Sequence, residues 1–354
     1  MKKHNFSAGP SILPESVIKK ASEAVINFNG MGLSLIEISH RSKEFIAVME
    51  RAQDLALELT GLKSKGYKAL FLQGGASMQF LMTAYNLLET KAGYINTGAW
   101  SSKAIKEAML FGEVIEVASS KDRNFNFIPK GYEIPSDLNY LHITTNNTIF
   151  GTQFQEIPET QVPLIADMSS DIFSRSIDYS KFDLFYAGAQ KNMGPSGTTL
   201  IIVKENLLGK ISRTIPSMMN YQVQLKSDSM FNTPPVFPIY TSMLTLEWLE
   251  ENGGINQIEK HNKTKAELIY NEIDRNSAFE GFAAKEDRSN MNATFNLVNG
   301  VDGSLFDSLW NQADISGLKG HRSVGGYRAS IYNALSLESV QLLVDVMKKF
   351  EQTL

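Results

Sequence analysis

Tyr186-Ala187-Gly188-Ala189-Gln190-Lys191-Asn192-Met193-Gly194-Pro195-Ser196-Gly197 is the stretch that decides how this chain reads. An apolar run, Leu184–Ala187, predicts a buried strand, and a lysine stands just beyond its end. Most lysines are solvated at the surface. This one has Ala187, Gly188, Ala189 and Gly194 as neighbours, which leave room for a bulky group against the backbone. An amine held in such a place loses its proton more readily and becomes a Schiff-base nucleophile.

Upstream, Val162–Ala166 predicts another buried strand, and it ends in Asp167-Met168-Ser169-Ser170. In open α/β sheets ligands gather at the carboxyl ends of strands. A lysine and a carboxylate at neighbouring strand ends are the pair that pyridoxal phosphate (PLP) requires. The lysine holds the cofactor, and the carboxylate keeps its pyridine nitrogen protonated so that the ring draws electrons. Gln73-Gly74-Gly75-Ala76-Ser77 joins a third strand to a helix, where free backbone N–H groups bind phosphate. Trp100, after Asn96-Thr97-Gly98-Ala99, offers a flat face for a ring.

The rest of the chain fits this core. Strands are predicted at 67–72, 92–96, 113–117, 140–144 and 198–203, with helices over 14–27, 42–60, 77–88 and 101–110 between or before them. Short, wholly apolar strands alternating with helices predict a parallel sheet covered on both faces. Pro234, Pro235 and Pro238 precede a helix at 240–251, and Gly253-Gly254 then breaks the chain. A long charged helix at 255–275, strands at 293–298 and 327–332, and helices at 304–312 and 337–350 predict a smaller α/β annex. The expected division is a large domain over 16–254, a small C-terminal domain over 255–354, and an N-terminal arm over 1–15 at the active site.

Composition narrows the function. The chain has 354 residues, 43% hydrophobic and 20% charged, with a net charge of −4, so nucleic acid and anionic membrane are not expected partners. There is no cysteine, which removes thiolate catalysis, disulfides and Cys-ligated metals, and no metal site is expected. No apolar stretch is long enough to span a membrane. Met1–Pro14 has no apolar run of the secretory kind, so a cytoplasmic protein is expected.

Further blocks carry a resemblance. The stretch from Asp167 to Gly197 resembles the cofactor-lysine region of class V aminotransferases. Asn5-Phe6-Ser7-Ala8-Gly9-Pro10, Glu37-Ile38-Ser39-His40-Arg41-Ser42, Asn232-Thr233-Pro234-Pro235 and the segment from Gly320-His321-Arg322 to Tyr327-Arg328-Ala329-Ser330 are similar to the phosphoserine aminotransferase branch of that family. The blocks occur in the family's order over nearly the whole chain.

The resemblance implies the type I fold of PLP-dependent transferases, with a mostly parallel large-domain sheet and a smaller α/β domain. It implies that Lys191 carries PLP as a Schiff base and that Asp167 faces the pyridine nitrogen. Trp100 would stack on the ring, and Thr148 would bond its hydroxyl. Ala76, Ser77 and Gln190 would hold the cofactor phosphate. Asn232 and Thr233 would reach the phosphate of a neighbouring subunit, making a homodimer with shared sites. Ser7, His40, Arg41, His321 and Arg322 would bind the substrate's phosphate or the side chain of glutamate, and Arg328 its α-carboxylate. The implied reaction is reversible transamination between 3-phosphohydroxypyruvate plus glutamate and phosphoserine plus 2-oxoglutarate, in serine biosynthesis. A side activity on 4-phosphohydroxythreonine, in vitamin B6 synthesis, is also implied.

Arginine suits such anions because its fork holds phosphate or carboxylate at two points. Two features depart from the family pattern: Ala76-Ser77 stands where arginine or a third glycine is common, and Asn146-Asn147-Thr148-Ile149-Phe150-Gly151 has asparagine where glutamate is common and phenylalanine where a small or acidic residue is common. A cysteine desulfurase of the same fold needs the cysteine this chain lacks. A general class V aminotransferase and a non-catalytic PLP or phosphometabolite binder remain as alternatives.

Overall fold

A computed structural model describes residues 3–354; Met1 and Lys2 of the expected arm lie outside the described residues. A seven-stranded sheet organises the larger part. Its strands are β1 (Tyr67–Leu72), β2 (Lys91–Asn96), β3 (Glu113–Ser119), β4 (Leu141–Thr144), β5 (Leu164–Asp167), β6 (Leu184–Gly188) and β7 (Thr199–Lys204). Their spatial order is β1-β7-β6-β5-β4-β2-β3. The expected sheet is mostly parallel, and it is: only β7 runs antiparallel, to both β1 and β6. β6 and β7 are joined by the tight Lys191 turn with no crossover helix, and so short a link can only join antiparallel strands.

Strand composition explains the layering. Leu70, Leu72, Tyr94, Tyr140, Ile165, Tyr186 and Ile201 point to one face. Phe71, Ile95, Leu141, Ala166, Phe185 and Ile202 point to the other. Because both members of the period-2 alternation are apolar, helices must cover both faces. Helices α1 (Glu15–Ile26) and α2 (Lys43–Leu59) share one face with α6 (Val236–Glu251), which packs against both. Helices α3 (Gly75–Leu87), α4 (Ala99–Ala108) and the short α5 (Tyr221–Lys226) cover the other.

The C-terminal part has its own core. Strands β8 (Phe279–Gly281), β9 (Asn292–Leu297) and β10 (Tyr327–Ser330) form an antiparallel sheet. It packs with α7 (Gly254–Arg275), α8 (Ser304–Gln312) and α9 (Leu337–Glu351). Helix α7 belongs to both cores: Ile255 and Ile258 join the large one, while Ala266, Ile269 and Ile273 join the small one. The N-terminal segment is not loose. His4 and Asn5 pair with Ile315 and Ser316, and Phe6 is wholly buried in the C-terminal core.

Candidate active site

The carboxyl ends of β1, β2, β4, β5 and β6 open on one edge of the large sheet, and the expected cofactor residues follow from them. Asp167 is the last residue of β5 and is buried. Its Oδ1 accepts the Ser169 N–H at 2.9 Å. Burial pushes its carboxyl pKa up, against the Ser169 bond and the Lys191 charge, which pull it down. Lys191 stands in the turn after β6. Burial pulls its ammonium pKa down to about 8; Asp167 opposes that shift and Arg328 adds to it. The two groups are thus electrostatically coupled at neighbouring strand ends, as the spacing predicts.

Thr148 links this pair to the C-terminal part. Its hydroxyl accepts from Lys191 Nζ at 2.8 Å, while its carbonyl accepts from Arg328 Nη1 at 3.3 Å. Arg328 lies on β10, so the strand sets the reach of its guanidinium. The N-terminal segment closes the far side. Ser11 N–H donates to the Gln190 carbonyl at 2.9 Å, and the Ser11 hydroxyl donates to the carbonyl of Lys191. Tyr332 OH donates to the Ala8 carbonyl at 2.9 Å. A side chain at Gly9, where φ is +142°, would meet the Lys191 stem at 3.4 Å. Ser7 packs against Gly317, where there is no room for a Cβ.

The α3 start matches a phosphate cradle. Gly74 and Gly75 both have positive φ, and a Cβ on Gly75 would meet nothing within 4 Å. The helix begins at Gly75, two residues before the expected start, so the N–H groups of Ala76 and Ser77 belong to the free first turn. Trp100 is expected in a loop, but α4 begins at Ala99 and places it in that helix's first turn. Its ring centroid is 6.0 Å from Lys191 Nζ, and its Nε1 is buried without a partner. Thr144 Oγ1 and Arg328 Nε are likewise buried and unpartnered. A reactive amine, a buried carboxylate, free helix N–H groups beside open space and an indole near the amine form a donor set that fits PLP.

The remaining expected residues are distributed unevenly. His321 and Arg322 lie in the loop before β10, and His321 Nδ1 pairs with the Ser323 hydroxyl at 2.7 Å. Burial first, then the charges of Arg328, Arg322 and Lys103, pull the His321 pKa down. Gln190 packs over Gly188. Asn232 and Thr233 precede α6, and Gln73 Nε2 donates to the Thr233 carbonyl at 3.0 Å. Arg41 is exposed, and His40 Nε2 is buried without a partner. Among the described residues no hydrogen bond joins His40 or Arg41 to Lys191, Arg328 or His321. Sequence reading missed Ser169 and Tyr332. Ser169 has a legible signal, since a residue two after a strand-end aspartate often caps it. Tyr332 reaches the Ala8 carbonyl across a long sequence separation.

Comparison with known proteins agrees with this geometry. The aminotransferase class V family model matches residues 3–343. A phosphoserine aminotransferase of Flavobacterium psychrophilum is 65% identical over 353 residues, 99% of each chain. The solved phosphoserine aminotransferase of Bacillus circulans subsp. alkalophilus superposes with a TM-score of 0.96 at 44% identity, covering 99% of each chain. The PLP-bound phosphoserine aminotransferase of Trichomonas vaginalis gives a TM-score of 0.92 at 34% identity, covering 98% of this chain and all of that one. With this match over nearly its whole length, the chain belongs to the class V aminotransferases and is a PLP-dependent enzyme.

Proposed function

We propose that this enzyme interconverts phosphoserine plus 2-oxoglutarate with 3-phosphohydroxypyruvate plus glutamate, as its relatives' names indicate. The observation that carries the reading is a group of cations left without anions. Arg322 and Arg328, which share the site with His321, form no ion pair among the described residues. An unpaired cation held partly out of water, as Arg328 is, is costly unless a ligand supplies the counter-charge. Phosphoserine supplies it at both ends.

In this reading Lys191 holds the cofactor and afterwards moves a proton at the substrate's α-carbon, a task suited to an amine with a lowered pKa. PLP, when bound, supplies the electron sink. Asp167 keeps a positive charge opposite its carboxylate, and Thr148 orients the Lys191 amine. Trp100, Ala76, Ser77 and Gln190 would hold the cofactor. Arg328 would hold the α-carboxylate, with Ser7, His321 and Arg322 at the distal phosphate. His40, Arg41, Asn232 and Thr233 are assigned to a site completed by a second copy. Supporting that pairing, Asn232 lines an apolar cavity of about 290 Å³ with Gln73, Gly74, Met78 and Met218. Met78, Met218 and Phe231 are exposed nearby, as an interface would require.

We propose residues 16–254 as the cofactor-binding unit, 255–354 as the unit that presents Arg328, and the arm 1–15 as the strap between them. No helix of the described residues is long and apolar enough to cross a membrane. A cytoplasmic location remains part of the proposal, supported by the cysteine-free composition. The test is single-turnover spectroscopy with phosphoserine, serine and alanine. Phosphoserine should react far faster, because serine leaves the distal cations unpaired. Equal rates would make this a general class V aminotransferase. Mixing inactive Lys191→Ala with an inactive Asn232/Thr233 double variant should restore activity if sites are shared, and a fully active double variant would end that idea.

A further inference from the structure

We propose that Lys103 belongs to the pocket that selects the substrate's distal phosphate. None of the motif blocks includes it. The inference rests on the phosphoserine reading above and adds a specificity-determining residue to it.

Lys103 lies on α4, one turn beyond Trp100, so the two side chains share a helix face. Its Nζ sits 4.3 Å from the Trp100 ring centroid. Lys191 Nζ is 6.0 Å from the same centroid. Both ammoniums therefore border one indole, which places them no more than about 10 Å apart, a span that a three-carbon phosphate ester bound beside Lys191 can bridge. The third side of this space is the loop before β10: the Lys103 charge is felt at His321, together with those of Arg322 and Arg328.

Lys103 is exposed, forms no ion pair among the described residues, and lies against the indole face. Like charges from α4, the 320–326 loop and β10 converge without a counter-ion, an arrangement that an incoming dianion relieves and a neutral side chain does not. The indole contact also keeps the long lysine side chain in one place, which lowers the entropic cost of using it.

The alternative is a solvated lysine that merely steadies Trp100. Single-turnover rates for phosphoserine and for serine, compared as a ratio in the holoenzyme, separate the two. Lys103→Met should lower the phosphoserine-to-serine ratio on the order of tenfold by removing one charge-assisted contact. Lys103→Arg should restore most of it. Inorganic phosphate should compete with phosphoserine less well against Lys103→Met than against the parent. Equal falls for both substrates would mean that Lys103 only supports Trp100, and an unchanged ratio would remove it from the pocket; either overturns the inference. A parent enzyme with no preference for phosphoserine would instead overturn the functional reading on which it stands.

Discussion

Two lysines of this chain are held out of water, and they have been put to different use. Lys191 at the end of β6 and Lys265 on α7 both have ammonium pKa values pulled down by burial, to about 8 and about 7. An ammonium has three N–H donors. Those of Lys265 are all used, by the carbonyls of Ile331 at 3.0 Å, Tyr332 at 2.7 Å and Leu335 at 3.1 Å. Lys191 has one partner, the Thr148 hydroxyl, and faces a carboxylate, an indole and an arginine. A lowered pKa thus does not by itself mark a reactive lysine. On the reading proposed above, what distinguishes Lys191 is unfinished coordination beside the groups assigned to the cofactor.

The largest effects should break the comparison at its two lysines. Lys191→Ala should lose roughly four orders of magnitude or more in turnover, as expected when a group acting at the reacting atoms is removed. Borohydride reduction of the holoenzyme followed by peptide mapping should place the pyridoxyl group on Lys191 alone. A label on Lys265 would invert the assignment. Lys265→Met should leave three buried carbonyls without a donor and cost about 3 kcal/mol in urea unfolding. A variant as stable as the parent would show that its ammonium does not hold the 331–335 turn.

Asp167→Asn should sharpen the contrast, since no carboxylate stands beside Lys265. The amide keeps the shape but cannot carry the charge that Lys191 and a protonated pyridine require. Turnover should fall on the order of 10²-fold, while bound PLP is largely retained. Near-parental turnover would remove Asp167 from the mechanism.

Much of this was legible in sequence because it rests on local signals. Apolar runs ending in Asp167 and before Lys191 gave both strand ends, and Gly74-Gly75 gave the turn into α3. Trp100 was expected one element out of place, because Gly98 reads as a loop residue while the helix starts straight after it. The antiparallel run of β7 was not distinguished, since a strand buried on both faces is apolar whichever way it points. The bridge from Lys191 through Thr148 to Arg328 joins residues far apart in sequence, and no spacing rule foretells it. The same holds for the three carbonyls around Lys265. A lysine in a charged amphipathic helix reads as solvated until tertiary packing buries it.

The smallest expected effect is a titration, and it bears most directly on the reactivity proposed for Lys191. In the cofactor-free protein its amine can attack an aldehyde only when unprotonated. With a pKa near 8, the rate at which apoenzyme captures PLP should rise with pH up to about 8 and level off above it, well below the ordinary lysine value of 10.5. The neighbours predict opposite displacements. Removing the Arg328 charge, as Arg328→Met, takes away a group that disfavours the ammonium, so the midpoint should move up. Removing the Asp167 charge takes away a group that favours it, so in Asp167→Asn the midpoint should move down. A one-unit displacement corresponds to about 1.4 kcal/mol and changes the capture rate below the midpoint about tenfold. Lys265→Met should leave the profile where it was, because that lysine titrates against carbonyls in another core. If neither charge variant moved the midpoint, the shift at Lys191 would come from burial alone, and the difference between the two lysines would lie only in access.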